Sequence, residues 1–134
     1  MEPEYLLDSN VIIGYLVGKI PPAGMKAISD IVDKKCQFSV ISPIEVLRFN
    51  DTPENEQALA EFVDNSIILP LTDTVAVRTI ALCKQSKIKL PDAIIAATAL
   101  AENCILVTRN MADFKNISNL TLLNPWDIPA VTKL

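Results

Sequence analysis

The chain contains no histidine. Catalytic triads, Cys–His dyads, imidazole-based RNA cleavage and HExxH zinc sites all need that ring near neutral pH. Any hydrolysis would therefore rest on carboxylates and a bound metal. Cysteine is scarce as well. Cys36, Cys83 and Cys104 are odd in number and form no CxxC pair, which argues against a disulfide framework and a thiolate zinc cluster. They are expected to be small buried apolar residues in a reducing compartment. Only 3 glycines and scattered prolines leave no room for a low-complexity or disordered chain. Long apolar runs are missing too: the most apolar stretch, Ala93 to Ala101, is too short to span a bilayer and is bracketed by Asp92 and Glu102. The start, Met1-Glu2-Pro3-Glu4, is acidic and unlike a signal peptide. The expectation is a cytoplasmic protein with no membrane segment. An excess of positive charge is also lacking, with a net charge of −4. That argues mildly against tight, non-specific nucleic-acid binding. The exclusion is weak, because a divalent ion in a carboxylate cluster reverses the local sign.

What is present suits one globular domain spanning residues 1–134, half of it apolar. Short apolar runs alternate with longer helical patterns, the signature of an α/β domain. Tyr5-Leu6-Leu7 predicts a first strand ending at Asp8, with Ser9 or Asn10 capping a helix through Val17. After the Pro21-Pro22 break, Met25, Ile28, Ile31 and Val32 recur at helical spacing. Gln37 to Ile41 reads as a strand. Ser42-Pro43 reads as the cap and first residue of a helix burying Ile44 and Leu47, with Arg48 placed to pair with Glu45. A helix capped at Thr52 buries Leu59, Phe62 and Val63. The strand Ser66–Pro70 and a helix from Thr72-Asp73 carrying Val75, Ile80, Leu82 and Cys83 follow. A central helix opens at Leu90-Pro91-Asp92 and is apolar throughout, with Asn103 in its C-cap region. Cys104–Thr108 predicts a fourth strand, Arg109–Asp113 a polar loop, and Leu120–Pro125 an edge strand. The expected architecture is a three-layer α/β/α sandwich around a mainly parallel sheet of four to five strands.

Most of the 16 acidic residues have an ordinary place. Glu54, Glu56, Glu61 and Asp64 read as one solvated helix face, and Asp30, Asp33, Asp51 and Asp127 as surface or turn positions. Asp73 reads as a first-turn acid favoured by the helix dipole. Four others stand apart. Asp8 directly follows the first strand, where an open α/β sheet presents its ligand-binding crevice, although an N-cap role would also account for it. Glu45 lies early in the helix after the second strand, on the same rim, or is simply a dipole-stabilised surface acid. Asp92 heads a helix so apolar that burial is hard to avoid, and a buried carboxylate needs compensation by a cap, a dipole or a metal. Asp113 follows the fourth strand and alone reads as a loop acid. Right-handed crossovers carry such strand ends to one edge of the sheet. Three or four carboxylates there make a reasonable Mg²⁺ or Mn²⁺ site.

Four segments carry a resemblance: Leu7-Asp8-Ser9-Asn10-Val11-Ile12, Ser42-Pro43-Ile44-Glu45-Val46, Leu90 to Ala99 around Pro91-Asp92, and Val107-Thr108-Arg109-Asn110-Met111-Ala112-Asp113-Phe114. Together the chain resembles the PIN-domain ribonucleases, in particular the VapC-type toxins of toxin–antitoxin pairs. The resemblance implies that Asp8, Glu45, Asp92 and Asp113 hold one or two Mg²⁺ or Mn²⁺ ions and are the catalytic residues for cleaving RNA. It implies that Asn10 and Thr108 or Asn110 orient the site, a cognate antitoxin in the groove, and a homodimer. Arg109 and Lys115 beside Asp113 are candidates to meet substrate phosphate, or are solvated loop cations.

Two rival readings stand beside this one. The same fold without turnover would be a PIN-like protein- or RNA-binding module. A different acidic-site α/β protein fits less well. Asp8-Ser9-Asn10 lacks the second acid of the DxD that an aspartate-nucleophile phosphatase carries after its first strand. Glu2 and Glu4 precede the first strand, whereas a receiver domain needs paired acids at the end of one.

Overall fold

The computed structural model describes residues 2–129. Its elements run β1 (Glu4–Leu7), α1 (Ser9–Leu16), α2 (Pro22–Lys35), β2 (Gln37–Ser39), α3 (Ile41–Leu47), α4 (Pro53–Asp64), β3 (Ile67–Leu69), α5 (Asp73–Gln85), α6 (Leu90–Ala101), β4 (Cys104–Val107), α7 (Met111–Phe114) and β5 (Leu122–Leu123), then a 3₁₀ turn at Pro125–Asp127. Strands and helices alternate as expected for the α/β class.

Every strand pairing is parallel. β1, β4 and β5 are hydrogen-bonded in that order, β2 pairs with β3, and β2 lies against β1. The register sets Leu7 opposite Val107 and Val107 opposite Leu123. One hydrogen bond beyond each ladder continues it: Asp8 N donates to Val107 O at 2.9 Å, and Thr108 N to Leu123 O at 3.0 Å. Asp8 and Thr108 therefore leave the sheet side by side, at its carboxyl edge.

The core explains which helix is central. Leu6, Leu7, Phe38, Leu106 and Val107 are fully buried, and α6 buries Ala93 through Ala99 without interruption. α6 packs on β4 and β2, α5 lies along α6, and α2 packs on β1 and the 3₁₀ turn. The α2 contact is close enough that a Cβ at Gly24 would collide with the Pro125 carbonyl. Thr52 caps α4 as the sequence predicts, and Thr72, at the expected start of α5, caps that helix too, each hydroxyl accepting a backbone N–H three residues on at 3.2 Å.

Several expectations are corrected. Pro22 does not merely break the chain but starts α2, where its missing N–H is harmless. α3 begins at Ile41, so the Ser42 cap is not formed; the Ile41 N–H instead donates to Ser39 Oγ at 3.2 Å. The buried residues of α3 are Ser42 and Val46, while Ile44 and Leu47 are 58% and 41% exposed. Two turns of helix do not fix the phase of an apolar spacing, and tertiary packing decides it. Arg48 does not pair with Glu45; its guanidinium lies 4.5 Å from the centre of the Phe49 ring. On α5 the inward positions are Val75, Thr79 and Leu82, leaving Ile80 and Cys83 exposed. Only Cys36 and Cys104 are the buried thiols expected of all three. The Arg109–Asp113 loop closes into α7, which drives Phe114 fully into the core. Among the described residues no helix is long and apolar enough to cross a membrane.

Candidate active site

Asp8 is the fixed point of the site. It takes the N-cap position of α1 expected for Ser9 or Asn10, its Oδ1 accepting the Ser9 backbone N–H at 2.8 Å. Its Oδ2 accepts the Thr108 hydroxyl at 2.7 Å and the Asn10 amide at 3.4 Å. The cap reading of Asp8 holds, and it leaves the site reading open, because Oδ1 alone makes the capping bond. It is only 4% exposed. Burial raises its pKa above the ordinary value, and the donors Thr108, Ser9 and Asn10 pull it back while the Glu45 charge pushes it further up.

Thr108 is in turn held from behind. Its Oγ accepts the Asn110 N–H at 3.0 Å, and the Asn10 Oδ1 accepts the Arg109 N–H at 3.2 Å. The turn after β4 is therefore laced to the turn after β1. Asn110 contributes through its backbone; at the start of α7 its side chain makes no capping bond.

Asp92 shows what happens without such donors. It occupies the first turn of α6, where no side chain caps the helix. Desolvation, followed by the charges of Asp8, Asp113 and Glu45, pushes its carboxyl from 3.8 up to about 6, with Lys89 opposing. The positive end of α6 also favours the ionised form. The three acids that raise Asp92 are the other three sequence candidates. The fold thus brings the other three within the field of Asp92: Asp8 from the end of β1, Asp113 from α7 after β4, and Glu45 from α3, where it sits in the second turn rather than at the expected helix start because α3 begins at Ile41.

Their accessibility differs. Glu45 and Asp92 are half-buried, and Asp113 in α7 is exposed, so the cluster opens to solvent. Sequence reasoning missed Ser9, whose hydroxyl donates to Glu45 Oε1 at 2.7 Å. The partner lies 36 residues away, and no local pattern announces such a bond. It also missed Trp126, whose ring carries the Arg109 guanidinium 4.9 Å from its centre. Arg109 and Lys115 are both exposed at this edge.

Hard divalent ions take carboxylate oxygens in preference to thiol or imidazole, and the acids of this site are all carboxylates. Three negative charges acting together on Asp92 are the electrostatic counterpart of a cation site, so the donor set fits Mg²⁺ or Mn²⁺ in kind. Among the described residues, no three acidic or thiol side chains are already closed around an ion position. The acids share a field rather than a finished cage.

Comparison with known proteins places this geometry. A family model for the PIN domain matches residues 5–120. Ribonuclease VapC2 of Rickettsia felis is 30% identical, over 92% of this chain and 98% of that protein. The toxin–antitoxin complex from Klebsiella pneumoniae superposes with a TM-score of 0.74 at 28% identity, covering 93% of this chain and 100% of that one. VapBC2 from Rickettsia felis, bound to a DNA fragment from its promoter, superposes at 0.73 with 25% identity, covering 90% and 97%.

Proposed function

The chain belongs to the PIN-domain family, and from that premise we propose that it is a metal-dependent endoribonuclease, the toxin of a toxin–antitoxin pair. The observation that carries the reading is the convergence of Asp8, Asp113 and Glu45 on a desolvated Asp92 at the carboxyl edge of a parallel sheet. The relatives add the substrate class and the kind of partner: one is a ribonuclease, and others are toxin–antitoxin complexes.

In this reading residues 1–134 are a single PIN-like domain working on RNA in the cytoplasm, as a homodimer held in check by a cognate antitoxin. Asp8, Glu45, Asp92 and Asp113 would hold Mg²⁺ or Mn²⁺, which when bound supplies water activation and offsets charge on the scissile phosphate. The rest falls to the chain itself. Thr108 and Asn10 fix the Asp8 carboxylate by hydrogen bonds at 2.7 and 3.4 Å. Asp92, with a pKa of about 6, is mostly ionised at neutral pH and available as a ligand. Arg109 and Lys115 meet phosphates flanking the cut, supplying locally the positive charge that the net balance of −4 conceals.

The test is cleavage of a labelled structured RNA by the purified, partner-free protein with Mg²⁺, with Mn²⁺ and with EDTA. Metal-dependent cutting is expected; cutting that survives EDTA would sink the mechanism. The alternative, a silent PIN-like binding module, draws on the open spacing of the four acids. Metal-independent RNA binding with no cutting under any condition would favour it.

A further inference from the structure

Ser9 touches two of the four acids in two different ways. Its backbone N–H donates to Asp8 Oδ1 at 2.8 Å, and its hydroxyl donates to Glu45 Oε1 at 2.7 Å. The second bond spans α1 and α3. Among the described residues no other hydrogen bond reaches the Glu45 carboxylate. Arg48, the cation nearest in sequence, is engaged on the Phe49 ring instead. Glu45 itself is a long, half-buried side chain on a helix of 7 residues. Left alone, such a side chain samples several rotamers, most of them pointing into solvent.

We infer that Ser9 is a positioning residue that aims Glu45 at the shared site. A hydroxyl suits the task. It donates to one carboxylate oxygen and leaves the other, with the remaining lone pairs, free for a cation. The main-chain bond to Asp8 is independent of the side chain, so replacing the hydroxyl disturbs one acid and leaves the other anchored. The inference rests on the proposed function, since Glu45 needs aiming only if the four acids bind a metal together.

The experiment is Mn²⁺ titration of the full chain by electron paramagnetic resonance, for the unsubstituted protein, Ser9→Ala, Ser9→Thr, Glu45→Ala and Ser9→Ala/Glu45→Ala. Ser9→Ala should weaken Mn²⁺ binding about tenfold, the scale expected for loss of a ligand's supporting hydrogen bond. Ser9→Thr, which keeps the hydroxyl, should restore it. In the Glu45→Ala background Ser9→Ala should cause no further loss, because the one side-chain partner it has among the described residues is gone. RNA cleavage by Ser9→Ala should fall in kcat with KM unchanged. Unaltered Mn²⁺ affinity in Ser9→Ala would overturn the inference, as would an equal loss in the Glu45→Ala background. An unsubstituted protein that binds no Mn²⁺ would instead overturn the proposed function, and this inference with it.

Discussion

Asp92→Asn should make the metal-free protein more stable at neutral pH, a direction opposite to that of most substitutions at a buried helix start. The carboxyl is raised from 3.8 to about 6. A carboxyl raised on folding contributes stability that is fully present below pH 3.8 and is lost as pH rises through about 6. Asn cannot ionise and escapes that loss. At 1.36 kcal/mol per pH unit the displacement corresponds to at most ~3 kcal/mol. The side chain is only half-buried, so solvent screening reduces this to ~1–2 kcal/mol. The lost attraction to the positive end of α6 subtracts a further ~0.3–1 kcal/mol. A net gain of ~1 kcal/mol remains, worth about 3–5 °C in the thermal midpoint of a domain this size. Thermal denaturation in EDTA at a series of pH values from 4 to 8 would read it. The gain should be full at pH 7.5 and vanish by about pH 4. Saturating Mg²⁺ should reverse the order, because only the unsubstituted protein gains from the ligand. A variant no more stable than the unsubstituted protein at pH 7.5, or a difference that does not change with pH, would refute the reasoning.

Other expectations follow from the same contacts. Thr108→Val keeps the shape but removes the 2.7 Å hydrogen bond to buried Asp8; it should cost about 1.5–3 kcal/mol in urea denaturation and slow cleavage as well. Arg109→Ala and Lys115→Ala should each raise KM for RNA about 3–10-fold at constant kcat. Each should also flatten the dependence of log affinity on log salt by about one unit, measured by titration at several ionic strengths. Gly24→Ala places a Cβ against the Pro125 carbonyl. It should lower stability by about 1–3 kcal/mol or more, seen as a lower urea midpoint at an unchanged slope.

How far the site was legible depends on which physical signals are local. Asp8 and Asp92 were readable because a strand end and a helix start leave marks in the sequence: an apolar run that stops at an acid, and a Pro-Asp step before an unbroken apolar stretch. The hydroxyl cap at Thr52 and the helix start at Thr72 were readable for the same reason, since the capping bond closes within three residues. Tertiary choices were not. Whether α3 turns Ile44 or Ser42 inward depends on what packs against it, and an apolar spacing of three suits either phase. α7 forms because Phe114 is pulled into the core, although Arg109 to Asp113 has the composition of a loop. Cys83 was expected to be buried but lies on the outer face of α5, whose turn is set by its packing on α6. The contrast between Asp8 and Asp92 is likewise invisible in sequence. Each is an acid at a helix start, Asp8 as the N-cap of α1 and Asp92 in the first turn of α6, but only Asp8 lies opposite a strand end that delivers the Thr108 hydroxyl. The Ser9–Glu45 bond is the extreme case, joining two elements whose only link is the fold.

The most direct test of the account is RNA cleavage by Asp8→Asn, Glu45→Gln, Asp92→Asn and Asp113→Asn beside the unsubstituted protein, with circular dichroism to confirm folding. If the four carboxylates form one metal-dependent site, each folded variant loses at least about a hundredfold in rate, and combining two adds far less than the product of their separate losses. Full activity in a folded Asp8→Asn or Asp92→Asn variant would contradict the claim that these acids carry the chemistry.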